Sequence, residues 1–122
     1  MRNLLGTAGA VALAVSVMGY IVPELASAEA DPEMVAQGKA ISFDRKKGNC
    51  LACHAIEGGD LPGNIGPPLV AMSARYPDPE KLRAQIWDAT AANPNTIMPP
   101  FGLHGILTED EIDKIVVFIQ TL

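Results

Sequence analysis

Two thiols and an imidazole stand together in Cys50-Leu51-Ala52-Cys53-His54. This is the C-x-x-C-H pattern of c-type haem attachment. Two thiols at this spacing can add across the two vinyl groups of one haem, and the adjacent imidazole then lies under the iron as an axial ligand. A zinc site would need four ligands, and the chain has only two Cys and two His. A thioredoxin-like redox pair belongs at a strand-to-helix junction, and no strand pattern occurs. A plain disulfide would leave His54 without a role. One covalent haem c, held through Cys50 and Cys53 and ligated by His54, is the reading that uses all three residues.

A six-coordinate iron needs a second axial ligand, and Met34, Met72, Met98 and His104 are the candidates. Met98 is preferred because it lies in Ile97-Met98-Pro99-Pro100-Phe101-Gly102, where two prolines restrict the loop and would hold the sulfur still. A Met/His pair raises the haem potential, which suits an electron carrier. His104 is the rival, although a loop-bracing role accounts for it. Met34 and Met72 have packing explanations, and ordinary core packing is the alternative for Met98 as well. Pro67, in Gly66-Pro67-Pro68-Leu69, cannot donate a hydrogen bond, but its carbonyl can accept the Nδ1 proton of His54 and so orient the ring. A loop-stiffening role is the plainer account of the same prolines. Arg45, Lys46 and Lys47 precede the haem motif. They read as the solvated end of a helix, where cations suit the dipole, with a docking patch at the haem edge as the sharper alternative.

The elements that must position these groups follow from local signals. Asp31-Pro32-Glu33 reads as a helix start, with Asp as N-cap and Pro at the first helical position. That helix is expected to reach about Phe43. Residues 58–68 hold four Gly and three Pro and must be loop. Asp78-Pro79-Glu80 opens a second helix, with Leu82, Ile86 and Ala89 on one face and Trp87 beside them as a packing residue; Asn93-Pro94 ends it. Thr108-Glu109-Asp110-Glu111 is a capping box, and Ile112, Ile115, Val116 and Ile119 form the buried stripe of a last helix. The expectation is an all-α domain of helices joined by long ordered loops.

Composition sets the limits. The chain has 122 residues, a formal charge of -5, and 48% hydrophobic against 19% charged residues. This is one globular domain. The acidic balance and the lack of a basic run argue against nucleic acid as partner. Only 5% of residues are aromatic, so something besides side chains is expected to fill the middle. Arg2, the uncharged run from Leu4 to Val22 and Ala26-Ser27-Ala28 describe a secretory signal peptide. Residues 1–28 are the expected signal, with cleavage after Ala30 as the variant and a retained membrane anchor as the alternative, since the apolar run is close to the ~20 residues that span a bilayer; residues 29–122 are the mature domain. Localisation in the periplasm, with no membrane attachment after removal of the signal, follows.

Taken together, Gly48-Asn49-Cys50-Leu51-Ala52-Cys53-His54, Gly63-Asn64-Ile65-Gly66-Pro67-Pro68-Leu69, Thr96-Ile97-Met98-Pro99-Pro100-Phe101-Gly102 and Ile106-Leu107-Thr108 resemble the SoxX family, the monohaem class I cytochromes c of the SoxAX complex of thiosulfate oxidation. The resemblance covers nearly all of residues 29–122. It implies a class I cytochrome c fold, thioether links at Cys50 and Cys53, and His54 and Met98 as axial ligands. It also implies a SoxA-like haem subunit as heterodimer partner, the SoxYZ carrier reached through the complex, and a soluble cytochrome c as electron acceptor. The activity implied for the complex is that of an L-cysteine S-thiosulfotransferase, with this chain as its non-catalytic electron-transfer subunit. A free-standing electron shuttle is the alternative. A ligand-sensing haem module with an open sixth site, and a zinc module, are more distant ones.

Overall fold

The computed structural model describes residues 30–122. The expected signal segment lies outside them. Among the described residues no helix is long and apolar enough to cross a membrane. The elements are α1 (Pro32–Phe43), a single 3₁₀ turn (Cys50–Ala52), α2 (Met72–Arg75), α3 (Pro79–Trp87), α4 (Ala89–Ala92) and α5 (Glu109–Ile119). Among the described residues there is no strand, and the all-α expectation holds.

The helix starts are where the capping residues put them. The Asp31 side chain accepts from Glu33 N–H at 2.9 Å, and Asp78 accepts from Glu80 N–H at 3.0 Å. At α5 the capping box closes both ways: Glu111 N–H donates to Thr108 Oγ1 (3.2 Å) and Thr108 N–H to Glu111 Oε2 (3.0 Å). These bonds satisfy donors that every helix N-terminus leaves free.

The second expected helix differs from its reading. It breaks at Asp88, whose backbone leaves helical geometry at φ -150° and ψ 89° and whose side chain accepts from Thr90 N–H at 3.0 Å. Asp88 thus closes α3 and caps α4, because a short acidic side chain competes with the helical ladder for backbone donors. The helix α2 was not anticipated. Four residues are too few to show a period, and its start at Ala71 sits in left-handed backbone at φ 50°.

The frame is the crossing of α1 and α5. Gly38 meets the backbone of Lys114 so closely that a Cβ there would lie 2.0 Å from its carbonyl oxygen. Next along α1, Ser42 is fully buried and donates from Oγ to Gly38 O at 2.8 Å. Phe43 meets Phe118 edge to face with ring centres 6.1 Å apart, a favoured aromatic geometry. Ile112, Ile115, Val116 and Ile119 are buried as the stripe predicts, and Phe118 joins them. Leu82 and Ile86 of α3 and Phe101 and Leu107 of the last loop complete this core.

Since no side chain fits between α1 and α5 at position 38, Gly38→Ala should force the helices apart. Overpacking of this kind costs about 1–3 kcal/mol, which in a domain this small lowers Tm by ~5 °C or more. Thermal melts of the holoprotein followed by circular dichroism measure this.

Candidate functional site

The haem-motif segment is shaped by backbone bonds. Asn49 takes the left-handed conformation at φ 47°, which Asn tolerates. The chain then closes a tight turn, with Cys53 N–H and His54 N–H both donating to Cys50 O, at 3.2 and 2.9 Å. In a 3₁₀ turn residues three apart lie above one another, so Cys50 and Cys53 share a side. Both thiols are free, and they line one cavity with His54. Burial pushes the Cys50 thiol above its ordinary value, with the Ser42 hydroxyl partly offsetting it.

The Gly/Pro-rich loop wraps this segment. Gly63 N–H donates to Leu51 O (2.7 Å), Gly66 N–H to Cys53 O (2.8 Å) and Leu69 N–H to Ala55 O (2.9 Å). The Pro67 carbonyl lies 2.7 Å from His54 Nδ1. A carbonyl only accepts, so Nδ1 carries a proton, and in the neutral ring this leaves the lone pair on Nε2. Gly66 lies flat on the same ring: a Cβ there would sit 2.4 Å from Cε1. Thus the tautomer and the plane of the imidazole are both set by one short stretch of loop.

The second loop brings Met98 to the cavity wall, half-buried. Met98 N–H donates to Thr96 Oγ1 at 3.2 Å. Beyond it, Gly102 and Leu103 N–H both donate to Trp87 O, at 3.1 and 3.2 Å. Gly102 presses on the Trp87 ring, where a Cβ would come within 2.1 Å of Cε3. Trp87 is not among the residues lining the cavity and serves the packing of this loop. His104 is exposed and does not line the cavity; Met34 does not line it either. Met72 does line it, but its sulfur already lies 3.3 Å from Arg75 Nη1. Met98 is therefore the methionine on the wall with no polar partner assigned to its sulfur among the described residues.

The cavity has a volume of about 520 Å³, within the ~300–1,000 Å³ of ligand and cofactor sites. Leu82, Ile86, Ile115 and Ile119 form its apolar floor, and Ile65 and Ile97 stand exposed at its mouth. Size, an apolar lining, two thiols on one side and nitrogen and sulfur donors in the wall fit a covalently held haem. Sequence reasoning assigned Leu82, Ile86, Ile115 and Ile119 to the core alone. It gave Arg75, Tyr76 and Gln85 no place at the site, and all three line it. The haem motif and a thin aromatic supply are the signals that the apolar faces enclose more than one another.

The cations at 45–47 are exposed just past the end of α1, and they also border the cavity. No base lies in the last turn of α1. Arg45, Lys46 and Lys47 fall in the turn after it and line the cavity, as does Arg75. Among the described residues no Asp or Glu lines it. Lys47 reaches away to pair with Glu111 of α5. That pair ties the turn before the haem motif to the capping box that follows the Met98 loop.

The fold and cavity are those of a class I cytochrome c-like domain. The model of the family described as cytochrome c oxidase, cbb3-type, subunit III matches residues 23–119, and the chain belongs to that family of cytochrome c domains. Membership indicates a covalently bound haem and electron transfer. Among solved structures the chain is similar to one in the crystal structure of SoxXA from P. pantotrophus, with 29% identity, a TM-score of 0.64, and coverage of 78% of this chain and 83% of that one. The motif resemblance and this structural likeness agree, and the chain is SoxX-like. It is also 39% identical over 76 residues to an uncharacterized lipoprotein of Aquifex aeolicus (strain VF5), covering 62% of this chain and 37% of that protein. The chain thus matches little more than a third of that curated relative's length.

The Lys47–Glu111 pair has a pH signature. The hydrogen bond from Lys47, then the Thr108 backbone, hold Glu111 below the usual carboxylate range, and the same bond holds Lys47 above its ordinary value. A lowered carboxylate pKa stabilises the fold above its unfolded value and is lost as pH falls through the folded one. Glu111→Gln should therefore lower Tm at pH 7, and the gap to wild type should close as pH falls below about 4. Melts of both holoproteins across pH 3 to 8 test this.

Proposed function

We propose that this chain is the monohaem electron-transfer subunit of a SoxXA-type complex. In this reading Cys50 and Cys53 would hold one haem through thioethers, and His54 and Met98 would supply the nitrogen and sulfur that bind its iron. Bound haem supplies a one-electron couple. The chain receives electrons as thiosulfate is joined oxidatively to a cysteine of a SoxYZ-like carrier, and it passes them singly to a soluble cytochrome c. The observation that carries the reading is the Pro67 carbonyl holding His54 in one tautomer on a wall that also bears two thiols and Met98.

The chain's own residues have defined tasks. His54 offers Nε2 because Nδ1 is committed to Pro67. Met98 stays near the site because its loop is fastened to Trp87 and stiffened by Pro99 and Pro100. The apolar walls exclude water and keep the two redox states alike in structure. The sequence holds only two cysteines, and attachment uses both. The thiol for sulfur chemistry therefore belongs to a SoxA-like partner, and this chain's role in the S-thiosulfotransferase is electron transfer. Residues 1–28 are read as a signal removed on export, with 29–122 acting in the periplasm, where C-x-x-C-H haem attachment takes place.

The likeness to the SoxXA chain favours the subunit over the free shuttle. A pull-down of the holoprotein from thiosulfate-grown cells, with haem-stained bands identified, separates them: a second, larger haem protein is expected, and a lone monomer would establish the shuttle instead. His54→Ala should prevent a normal holoprotein. Met98→Ala should keep covalent haem but lower the potential by on the order of 0.1 V, a modest part of the ~0.8 V that axial ligation spans. An unchanged spectrum and potential in Met98→Ala would assign the sixth position to another residue.

A further inference from the structure

Pro67 and Pro68 carry no backbone N–H, so this segment can be fastened only at its flanks and through its carbonyls. The flanks are held by Gly66 and Leu69, as described. Of the two carbonyls, that of Pro67 accepts from His54 Nδ1 at 2.7 Å. That of Pro68 accepts from Arg75 Nη1 at 3.0 Å. The same nitrogen of Arg75 lies 3.3 Å from Met72 Sδ. Met72 is buried at 2% exposure, and its N–H donates to Leu122 O at 2.8 Å. An unbroken line of contacts therefore runs from the chain's last residue through Met72, Arg75 and Pro68 to the carbonyl that orients His54.

We propose that Arg75 is a positioning residue for His54, acting through the Pro67-Pro68 unit. The inference rests on the reading of His54 as the axial imidazole. By anchoring the Pro68 carbonyl, Arg75 holds the Pro68–Leu69 peptide; because the ring locks φ of Pro68, only ψ of Pro68 stands between that peptide and the one that carries the Pro67 carbonyl, so the direction of the Pro67 carbonyl follows. That carbonyl sets the basicity and the plane of the imidazole. Arg75 does a second thing with the same atom. It engages the sulfur of Met72, the other thioether on the cavity wall, and so leaves Met98 unopposed. No other polar side chain is found on the Pro68 carbonyl among the described residues.

A charge near haem also changes its potential, so potential alone cannot test this. The decisive readout is the solvent exchange of the His54 Nδ1 proton, followed by NMR in the reduced holoprotein. Amide exchange along α5 serves as the internal measure of global stability. In Arg75→Leu the Nδ1 proton should exchange about tenfold faster, the factor that a hydrogen bond from a charged donor supports, while the α5 amides keep their rates. Arg75→Lys, which keeps a donor able to reach Pro68 O, should recover most of the protection. Unchanged Nδ1 exchange in Arg75→Leu would overturn the proposal, even if the potential moved, because it would leave only a charge effect. Equal acceleration of the α5 amides would overturn it too, by reducing Arg75 to a general stabiliser. Wild-type protein that binds covalent haem without His54 ligation would refute the site reading itself, a result seen before any variant is made.

Discussion

The hydrogen bond from His54 Nδ1 to the Pro67 carbonyl is the constraint around which this small domain is arranged. An imidazole can present either nitrogen, and a free ring rotates. Here one acceptor removes the first freedom, and the backbone of Gly66, flat against the ring, removes the second. Proline suits the acceptor position because it brings a carbonyl without a competing donor and with φ already set. The loop around it is consequently poor in regular structure and rich in backbone bonds to the haem-motif segment.

The helices supply the rigidity that loops of this kind lack. α1 and α5 cross with almost no space between their backbones at Gly38, and each leads to one side of the cavity. α1 runs into the turn that precedes Cys50, and α5 starts directly after the loop that carries Met98. Glu111 joins the two sides, since its carboxylate takes both the Thr108 cap and Lys47. The sulfur and nitrogen donors thus belong to separate loops whose ends are fixed to one helical frame.

Much of this was legible beforehand because it depends on short-range chemistry. Asp31, Asp78 and Thr108 announce helix starts through their own side chains, and Cys50, Cys53 and His54 declare a site by spacing alone. The features that escaped depend on competition or on distance. Asp88 splits a helix that periodicity would continue. Met72–Arg75 is too short for any period. Leu82, Ile86, Ile115 and Ile119 look like core from their stripes, and only the folded chain makes them one wall of a cavity. The cations at 45–47 carry no signal that says whether they cap a helix or line a mouth. Their placement follows from α1 stopping at Phe43, where Asp44 takes over the backbone donors of the turn.

That placement has an electrical consequence. The chain carries a formal charge of -5, yet four of its basic residues border the cavity and no acid among the described residues does. The rim of the opening is therefore locally positive on a chain that is acidic as a whole, and a contrast of this kind acts on a charged body only within the roughly 8 Å that physiological salt leaves unscreened.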